Sequence, residues 1–470
     1  MAVDSVDAAF GALLGAFVGD SCGAVLEFND RHNNPELVER ALTMPGGGIF
    51  GVGPGQCTDD GELALALASG LSQQFPLDGF PAESVARAYG AWLQSSPFDV
   101  GNTCRTAFSA ALHHDPAKSG PLAPLMTKQA QFSRDSKANG ALMRVMPLAV
   151  WGCRLSDEEL ARAAGEDAKL SHPHEVCRHA NAIYCIAVKH LIASPGNAEA
   201  AIKAACAWAN AHACAEVAGW LKEALGDAAG PPANRLIGFV RYGFFYAFRF
   251  LKLRTPFRDA LRDTLLLKGD TDTNAAIVCG MLGALHGAAG GWRGRAGVPG
   301  CVWAGAIVCG MLGALHGAAA IPTHMADAVL GRQGQSGAKG PRRPDWLQPG
   351  RLPSVFKQLW SKATGEEVDL LRLAGVPTAT LAAEATRAAS DVARQAAAEA
   401  AVAAAEAARQ AALAAEAGDW TARQGDARWG SWKNMEKRVE GGGGSGSGSA
   451  GVSQTGEAPA ESNGTGNGHA

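Results

Sequence analysis

Residues 11–23 read GALLGAFVGDSCG, with glycine at every fourth position. The apolar residues beside these glycines have the spacing of an amphipathic helix: Phe10, Leu13, Leu14, Phe17 and Val18. Glycine costs a helix about 1 kcal/mol relative to alanine, so Gly11, Gly15, Gly19 and Gly23 require a compensating role. Close approach of a second helix or of a ligand is the simplest explanation.

Helical patterns also dominate the rest of the chain, and almost no stretch alternates with the period of two expected of a strand. We therefore predict an all-α fold with one compact multi-helix domain. Helices are expected at 59–75, 82–95, 102–114, 157–169, 174–193, 198–211, 214–225, 234–252 and 257–267.

Composition excludes several classes of protein. The net charge of -3 gives no basic surface for nucleic acid. The eleven cysteines are scattered without CxxC pairs, which is typical of buried thiols in a reducing compartment. The acidic start MAVDSVD argues against a secretory signal, and Asp20 interrupts the first apolar stretch before the ~18 residues of a membrane span. We expect a cytoplasmic protein, without membrane contact and monomeric.

The C-terminal region differs in composition from the rest of the chain. Residues 1–365 are predicted to form the main helical domain, 366–419 an alanine-rich helical extension, and 420–470 a flexible tail of low complexity. Alanine is the strongest helix former, but larger apolar residues are too sparse here for a coiled-coil seam.

One segment occurs twice. AIVCGMLGALHGAA fills 276–289 and returns unchanged at 306–319. Repeats of solenoid proteins diverge and occur at least three times, so a single perfect copy indicates a recent duplication or an error in the gene model.

Two acidic strings precede apolar helical runs: GQCTDDGELALALASGL at 55–71 and KGDTDTNAAIVCGML at 268–282. Helix capping explains one Asp or Thr per helix, whereas these strings carry several. Four buried carboxylates repel one another unless cations neutralise them, and oxygen ligands suit Mg²⁺ or Mn²⁺. An EF-hand is excluded because Ala275 and Met281 occupy its glycine and glutamate positions. The segment GVGPGQ fails the dinucleotide-binding GxGxxG pattern, and a Walker lysine is missing.

The order of the motifs resembles the ADP-ribosylglycohydrolase family. The similarity covers roughly 8–289 and resumes at 320–355, and its most specific part is TDD and GDTDT with NGALMR between them. The resemblance implies an all-α domain with two Mg²⁺ or Mn²⁺ ions, acting on an ADP-ribosylated protein or another ADP-ribose conjugate.

The resemblance also assigns roles to individual residues. The metal ligands would be Thr58, Asp59, Asp60, Asp270, Asp272 and Thr273. The catalytic group would comprise Asp60, Glu27 and Asp272, with Asp60 or Glu27 as the base. The substrate would be bound by Gly101, Asn102, Thr103, Asn139, Gly140, Ala141, Met143, Ser171 and His172. Gly61 stands where many relatives have threonine after TDD, which leaves the linkage specificity open.

Chemically, two metals held by facing carboxylates can bind ribose hydroxyls and activate water for attack on the anomeric carbon. Arginine-linked ADP-ribose is our preferred substrate. A serine-linked or small ADP-ribose conjugate is the second interpretation, and a non-catalytic ADP-ribose-binding or structural relative is the third. An HxH metal site at His172 and His174 is disfavoured because the other donors are oxygen.

Deletion of Ala276 to Gly305 should preserve or improve function. The deletion joins Ala275 to Ala306 and leaves one helix after the GDTDT string, and a densely packed core has room for one copy. Expression, melting temperature and turnover of the deletion should equal or exceed those of the full chain. An unfolded or inactive deletion would mean that the second copy is a required structural element.

Overall fold

The computed structural model describes residues 4–28, 34–288, 320–332 and 342–368. These residues form helices and turns, and the only β-pairings among them are isolated bridges such as Gly47 with Val52. The all-α prediction is confirmed. The helices are α1 Ser5–Gly23, α2 Pro35–Ala41, α3 Asp59–Leu71, α4 Ala82–Gln94, α5 Asn102–Phe108, α6 Pro116–Ser119, α7 Leu122–Ala130, α8 Met146–Trp151, α9 Asp157–Lys169, α10 Glu175–Ala193, α11 Ala198–His212, α12 Ala215–Leu225, α13 Val240–Leu253, α14 Phe257–Leu266, α15 Thr271–His286, α16 Thr323–Leu330 and α17 Leu352–Thr364.

Helices α1 and α15 form an antiparallel pair at the centre of the core, and nearly all of their residues are buried. The glycine stripe of α1 faces the backbone of α15. A Cβ added to Gly11, Gly15 or Gly19 would lie 2.2–2.3 Å from the carbonyl oxygens of Gly283, Cys279 and Ala275 respectively. Any side chain would therefore separate the helices. The stripe serves helix–helix packing, one of the two roles that the sequence left open.

The remaining helices enclose this pair. α10, α13 and α14 pack on α15, while α3 packs on α4 and α8. The buried side chains form one extensive hydrophobic core. This packing fixes which helix ends can meet at the centre of the domain.

The final described segment is fastened to the body by a buried ion pair. The guanidinium of Arg343 donates to both carboxylate oxygens of Glu62 on α3 at 2.7 and 2.8 Å, and the Trp92 indole donates to the same carboxylate at 2.8 Å. α17 then packs on α8 and α3. The described fold thus continues through this segment to Val368, which is buried.

Several helices differ from their predicted bounds. α1 continues past Asp20 to Gly23, because the carboxylate of Asp20 accepts hydrogen bonds from buried donors within the fold. By length and composition α1 is apolar enough to span a membrane, but 94% of its most apolar 18-residue stretch is buried inside the protein. The predicted helix 102–114 ends at Phe108 and gives way to a 3-10 turn. The predicted helix 234–252 begins only at Val240. Of the helices without a sequence prediction, α8 is apolar on every side and therefore lacks a helical period.

The first copy of the duplicated segment continues the core helix α15 from Ala276. The second copy, 306–319, and the predictions for the extension and tail beyond 368 lie outside the described residues. All described residues belong to one compact unit. The nine cysteines among them are free thiols, as their scattered spacing predicted.

Candidate metal centre

The site forms where the C-terminal end of α1 meets the N-terminal ends of α3 and α15. Two carboxylate triads lie there, Asp20–Asp60–Asp272 and Glu27–Asp270–Asp272, and within each triad the facing oxygens are no more than 4.8 Å apart. Both triads are buried and share Asp272. Residues more than two hundred positions apart in the sequence are thereby brought into one cluster.

Asp20 is a member of the site that the sequence analysis missed. Its carboxylate accepts hydrogen bonds from the backbone N–H groups of Thr58, at 3.0 Å, and Gly61, at 2.9 Å, and from the Thr58 hydroxyl at 3.0 Å. The side chain of Thr58 does not cap α3 itself. Asp20 therefore caps α3 from α1 and sets where the TDD string lies. The sequence feature that could have identified Asp20 is a charged residue among the glycines of an otherwise apolar helix.

Gly61 faces into this cap. A Cβ at this position would lie 2.7 Å from the Cys57 Cβ and 2.9 Å from Asp20 Oδ2. Glycine thus lets its own N–H approach the Asp20 carboxylate. Local packing therefore accounts for glycine at this position.

Two threonine hydroxyls link the carboxylates. Thr58 Oγ1 lies 3.1 Å from an oxygen of Asp60 and 3.4 Å from one of Asp272. The Thr273 hydroxyl donates to Asp60 at 3.3 Å, and the Thr273 N–H donates to Asp272 at 2.9 Å. These contacts hold Asp60 and Asp272 with their oxygens facing the centre of the cluster.

Burial and mutual repulsion oppose ionisation of the cluster. Burial raises the pKa of Asp20 to about 7 and that of Glu27 to about 8. The pKa values of Asp60 and Asp272 are raised well above the usual range, first by burial and then by neighbouring carboxylates. An arrangement of this kind is stable with all groups charged only when cations balance them.

The cluster fits divalent cations by a second criterion. Asp60 Oδ1 and Glu27 Oε2 are buried and have no hydrogen-bond partner among the described residues. Buried carboxylate oxygens normally have partners, and all donors in the two triads are the oxygen ligands that Mg²⁺ and Mn²⁺ prefer. The residues therefore could hold metal.

Asp59 lies beside the triads and belongs to neither. Its carboxylate accepts a hydrogen bond from the Gly101 N–H at 3.3 Å. Burial raises the pKa of Asp59 well above its usual range, and the largest electrostatic contribution comes from Asp99. Asp99 was not selected from the sequence; burial raises its pKa to about 6. The two residues form an acidic border to the site.

The predicted ribose and phosphate loop adjoins the second triad. Asn139 donates through Nδ2 to Asp270 at 2.8 Å, and its backbone N–H donates to the Gly238 carbonyl at 2.9 Å. The turn closes with Leu142 N–H donating to the Asn139 carbonyl. Between these positions, the N–H groups of Gly140 and Ala141 have no acceptor among the described residues. Such a pair of free N–H groups suits an anion.

The other predicted substrate-binding residues differ in how far their side chains are buried. Asn102 is exposed and Thr103 is half-buried, with its hydroxyl 3.3 Å from Ser136 Oγ. Met143 is buried, and its sulfur lies 3.9 Å from the Thr273 hydroxyl. The sequence-based role of each remains a prediction.

Ser171 and His172 lie behind the loop. His172 is buried against Gly140, where an added Cβ would lie 2.9 Å from the imidazole ring. Its Nδ1 is 2.8 Å from the Ser171 hydroxyl, and burial lowers its pKa to about 3. The imidazole is therefore neutral at physiological pH and supports the Gly140 turn from beneath.

A buried arginine was also missed. Arg144 donates to the Gly140 carbonyl at 3.0 Å, and its Nε lies 3.4 Å from Asp167. Its guanidinium stacks on the Tyr89 ring at 4.5 Å, and the Tyr89 hydroxyl donates to Asp167 at 2.6 Å. Arg144 therefore fixes the same turn that presents the free N–H groups.

Comparison with known proteins identifies the family. Residues 1–291 match the family model described as ADP-ribosylglycohydrolase. The chain belongs to the ADP-ribosylglycohydrolase family. Members of this family are hydrolases that act on glycosidic ADP-ribose linkages, and the resemblance inferred from the TDD and GDTDT strings is confirmed.

Among its relatives is the ADP-ribosyl-[dinitrogen reductase] glycohydrolase of Rhodospirillum rubrum, 30% identical over 60% of this chain and 86% of that protein. The ADP-ribosylarginine hydrolase Tri1 of Serratia proteamaculans is 34% identical over 32% of this chain and 37% of its own length. A solved structure titled ADP-ribosylglycohydrolase-related protein complex has a TM-score of 0.53 and 21% identity, covering 77% of this chain and 99% of that one. It supports the fold alone.

Asp20→Asn should weaken the site while leaving the fold intact. Asparagine keeps the size of the side chain but removes its charge and places an amide donor against the N–H donors of α3. We expect the Mg²⁺ affinity, measured by calorimetric titration, to fall at least tenfold.

Asp4→Asn is the matched control, since Asp4 caps the distant end of α1. It should bind Mg²⁺ as the wild type does. An Asp20→Asn protein with unchanged Mg²⁺ affinity would remove Asp20 from the metal centre.

Proposed function

We propose that the protein hydrolyses the glycosidic bond between ADP-ribose and an arginine side chain of a modified protein, with two Mg²⁺ or Mn²⁺ ions as cofactors. The observation that carries this proposal is the pair of buried triads with a common member, Asp272. Two clusters of oxygen donors with one shared carboxylate suit two neighbouring cations. The arginine linkage is supported by the Tri1 relative, described as an ADP-ribosylarginine hydrolase.

The proposed metal ligands are Thr58 and the members of the two triads. The Thr273 hydroxyl donates to Asp60. Asp59, which interacts electrostatically with Glu27 and Asp20, completes the predicted set. When bound, the ions would supply charge for the ribose hydroxyls and lower the pKa of a water molecule.

The chain's own residues would orient the substrate. The free N–H groups of Gly140 and Ala141 would hold the diphosphate by hydrogen bonds. Asn139, anchored on Asp270, would set the ribose beside the second triad. Arg144 and His172 prevent this turn from shifting, because they occupy the space beneath it.

Glu27 and Asp60 remain the candidates for the general base. Each carries a buried oxygen without a hydrogen-bond partner among the described residues, so each could accept a proton from water. Asp60 accepts a hydrogen bond from the Thr273 hydroxyl and lies 3.1 Å from Thr58 Oγ1, whereas Glu27 lies at the end of a turn after α1. Carboxylates around the anomeric carbon would also stabilise positive charge that develops there.

Asp272→Asn should reduce turnover of an ADP-ribosyl-arginine peptide at least a hundredfold, because one substitution weakens both triads. Turnover should be measured with saturating Mg²⁺ and with EDTA, beside an ADP-ribosyl-serine peptide. The wild type should require metal and prefer the arginine linkage.

Asp135→Asn is the matched control, because Asp135 is an exposed surface carboxylate. It should retain wild-type turnover. Metal-independent turnover, or full activity of Asp272→Asn, would disprove the two-metal proposal, and a preference for serine would disprove the arginine assignment.

A further inference from the structure

Three phenylalanine rings form a continuous cluster next to the acidic site; we term Phe28, Phe50 and Phe98 the aromatic triad. The Phe50 ring centroid lies 6.1 Å from that of Phe28 and 5.7 Å from that of Phe98. The ring planes meet at 77° and 62°, so the rings contact edge to face. Phe28 is 58% exposed, and the other two rings are half-buried.

The sequence connects both outer rings to site carboxylates. Phe28 directly follows Glu27, a member of the second triad, and Phe98 directly precedes Asp99. Asp99 and Glu27 both interact electrostatically with Asp270. The aromatic triad therefore lies beside the acidic border of the metal centre.

The backbone supports a role for the exposed ring. Phe28 has φ 57°, in the left-handed region that bulky residues rarely adopt. Conformations of this kind cost free energy and cluster at ligand sites. Because Phe28 is 58% exposed, its burial offsets only part of this cost, which favours a ligand as its partner.

Building on the proposed function, we infer that the aromatic triad binds the guanidinium of the ADP-ribosylated arginine and so selects the linkage. Aromatic faces attract cations, and a planar guanidinium stacks on them especially well. A serine-linked substrate offers no cation at this position, so the triad would discriminate between the two linkages.

Charge determines which part of the substrate fits here. The diphosphate of ADP-ribose is anionic, so its binding beside the carboxylates Glu27 and Asp99 is disfavoured. The free N–H groups of Gly140 and Ala141, on the loop anchored to Asp270, suit this anion instead. A cation is favoured beside these two carboxylates. The leaving group is the cationic end of an arginine-linked substrate, so its place is at the aromatic triad. Adenine stacking on these rings is the alternative that the experiment must exclude.

Phe50→Leu tests the inference, because leucine keeps an apolar side chain but removes the central aromatic face. With the full chain and saturating Mg²⁺, KM for an ADP-ribosyl-arginine peptide should rise about 3- to 30-fold. KM for the serine-linked peptide and the Kd of ADP-ribose should stay unchanged, and Phe50→Tyr should restore the wild-type KM. Phe75→Leu is the matched control, since Phe75 is 52% exposed beyond the opposite end of α3.

A second measurement separates this inference from the proposed function. N-butylguanidine and its neutral isostere N-butylurea are titrated into protein saturated with Mg²⁺ and ADP-ribose, which requires no turnover. The wild type should bind the guanidine more tightly than the urea, and Phe50→Leu should remove that difference. A wild type that shows this pattern but fails to cleave the arginine linkage would overturn the proposed function alone.

Three results would overturn the inference itself. Phe50→Leu could leave KM for the arginine-linked peptide unchanged, or raise KM for both linkages equally. It could also weaken ADP-ribose binding, which would assign the aromatic triad to adenine.

Discussion

The site depends on the close contact between α1 and α15. Four glycines on α1 let the two helix backbones meet without intervening side chains, and the antiparallel direction brings the end of α1 to the start of α15. The Thr271 hydroxyl donates to the Gly23 carbonyl at 2.9 Å at this junction. Asp20 and Asp272 therefore reach the same cluster because the main chains of α1 and α15 pack directly against each other.

This packing also accounts for the arrangement of charge. Asp20 extends from α1 to cap α3, so one carboxylate positions the acidic string of another helix. The cluster is buried, and the pKa values of its members are raised because the charged forms are disfavoured there. The free energy needed to ionise these groups within the fold is what metal binding would offset. The packed helices thus hold the carboxylates in positions where their charged forms are unfavourable without metal.

Much of this could be predicted from the sequence, because the informative features were local. The glycine period predicted close packing against a helix or a ligand, and the TDD and GDTDT strings predicted the convergence of Asp60, Asp270 and Asp272, whereas Asp59 belongs to neither triad. Asp20 was missed because its partners Thr58 and Gly61 lie about forty positions away and only the fold brings them together. Arg144 was missed for the same reason, since it lies in a turn and its partner Asp167 comes from helix α9. Helix α8, apolar on every side, carried no period that sequence analysis could detect.

The most direct test of the central claim is the Mg²⁺ affinity of Gly15→Ala. A Cβ at Gly15 would lie 2.2 Å from the Cys279 carbonyl oxygen, although Gly15 itself touches no member of the triads. Overpacking of this kind costs about 1–3 kcal/mol and forces the helices apart, so Mg²⁺ affinity should fall at least tenfold. Gly165→Ala on α9, where an added Cβ meets no atom within 4 Å, should bind Mg²⁺ normally. A Gly15→Ala protein with wild-type Mg²⁺ affinity would contradict the claim that α1–α15 packing positions the metal centre.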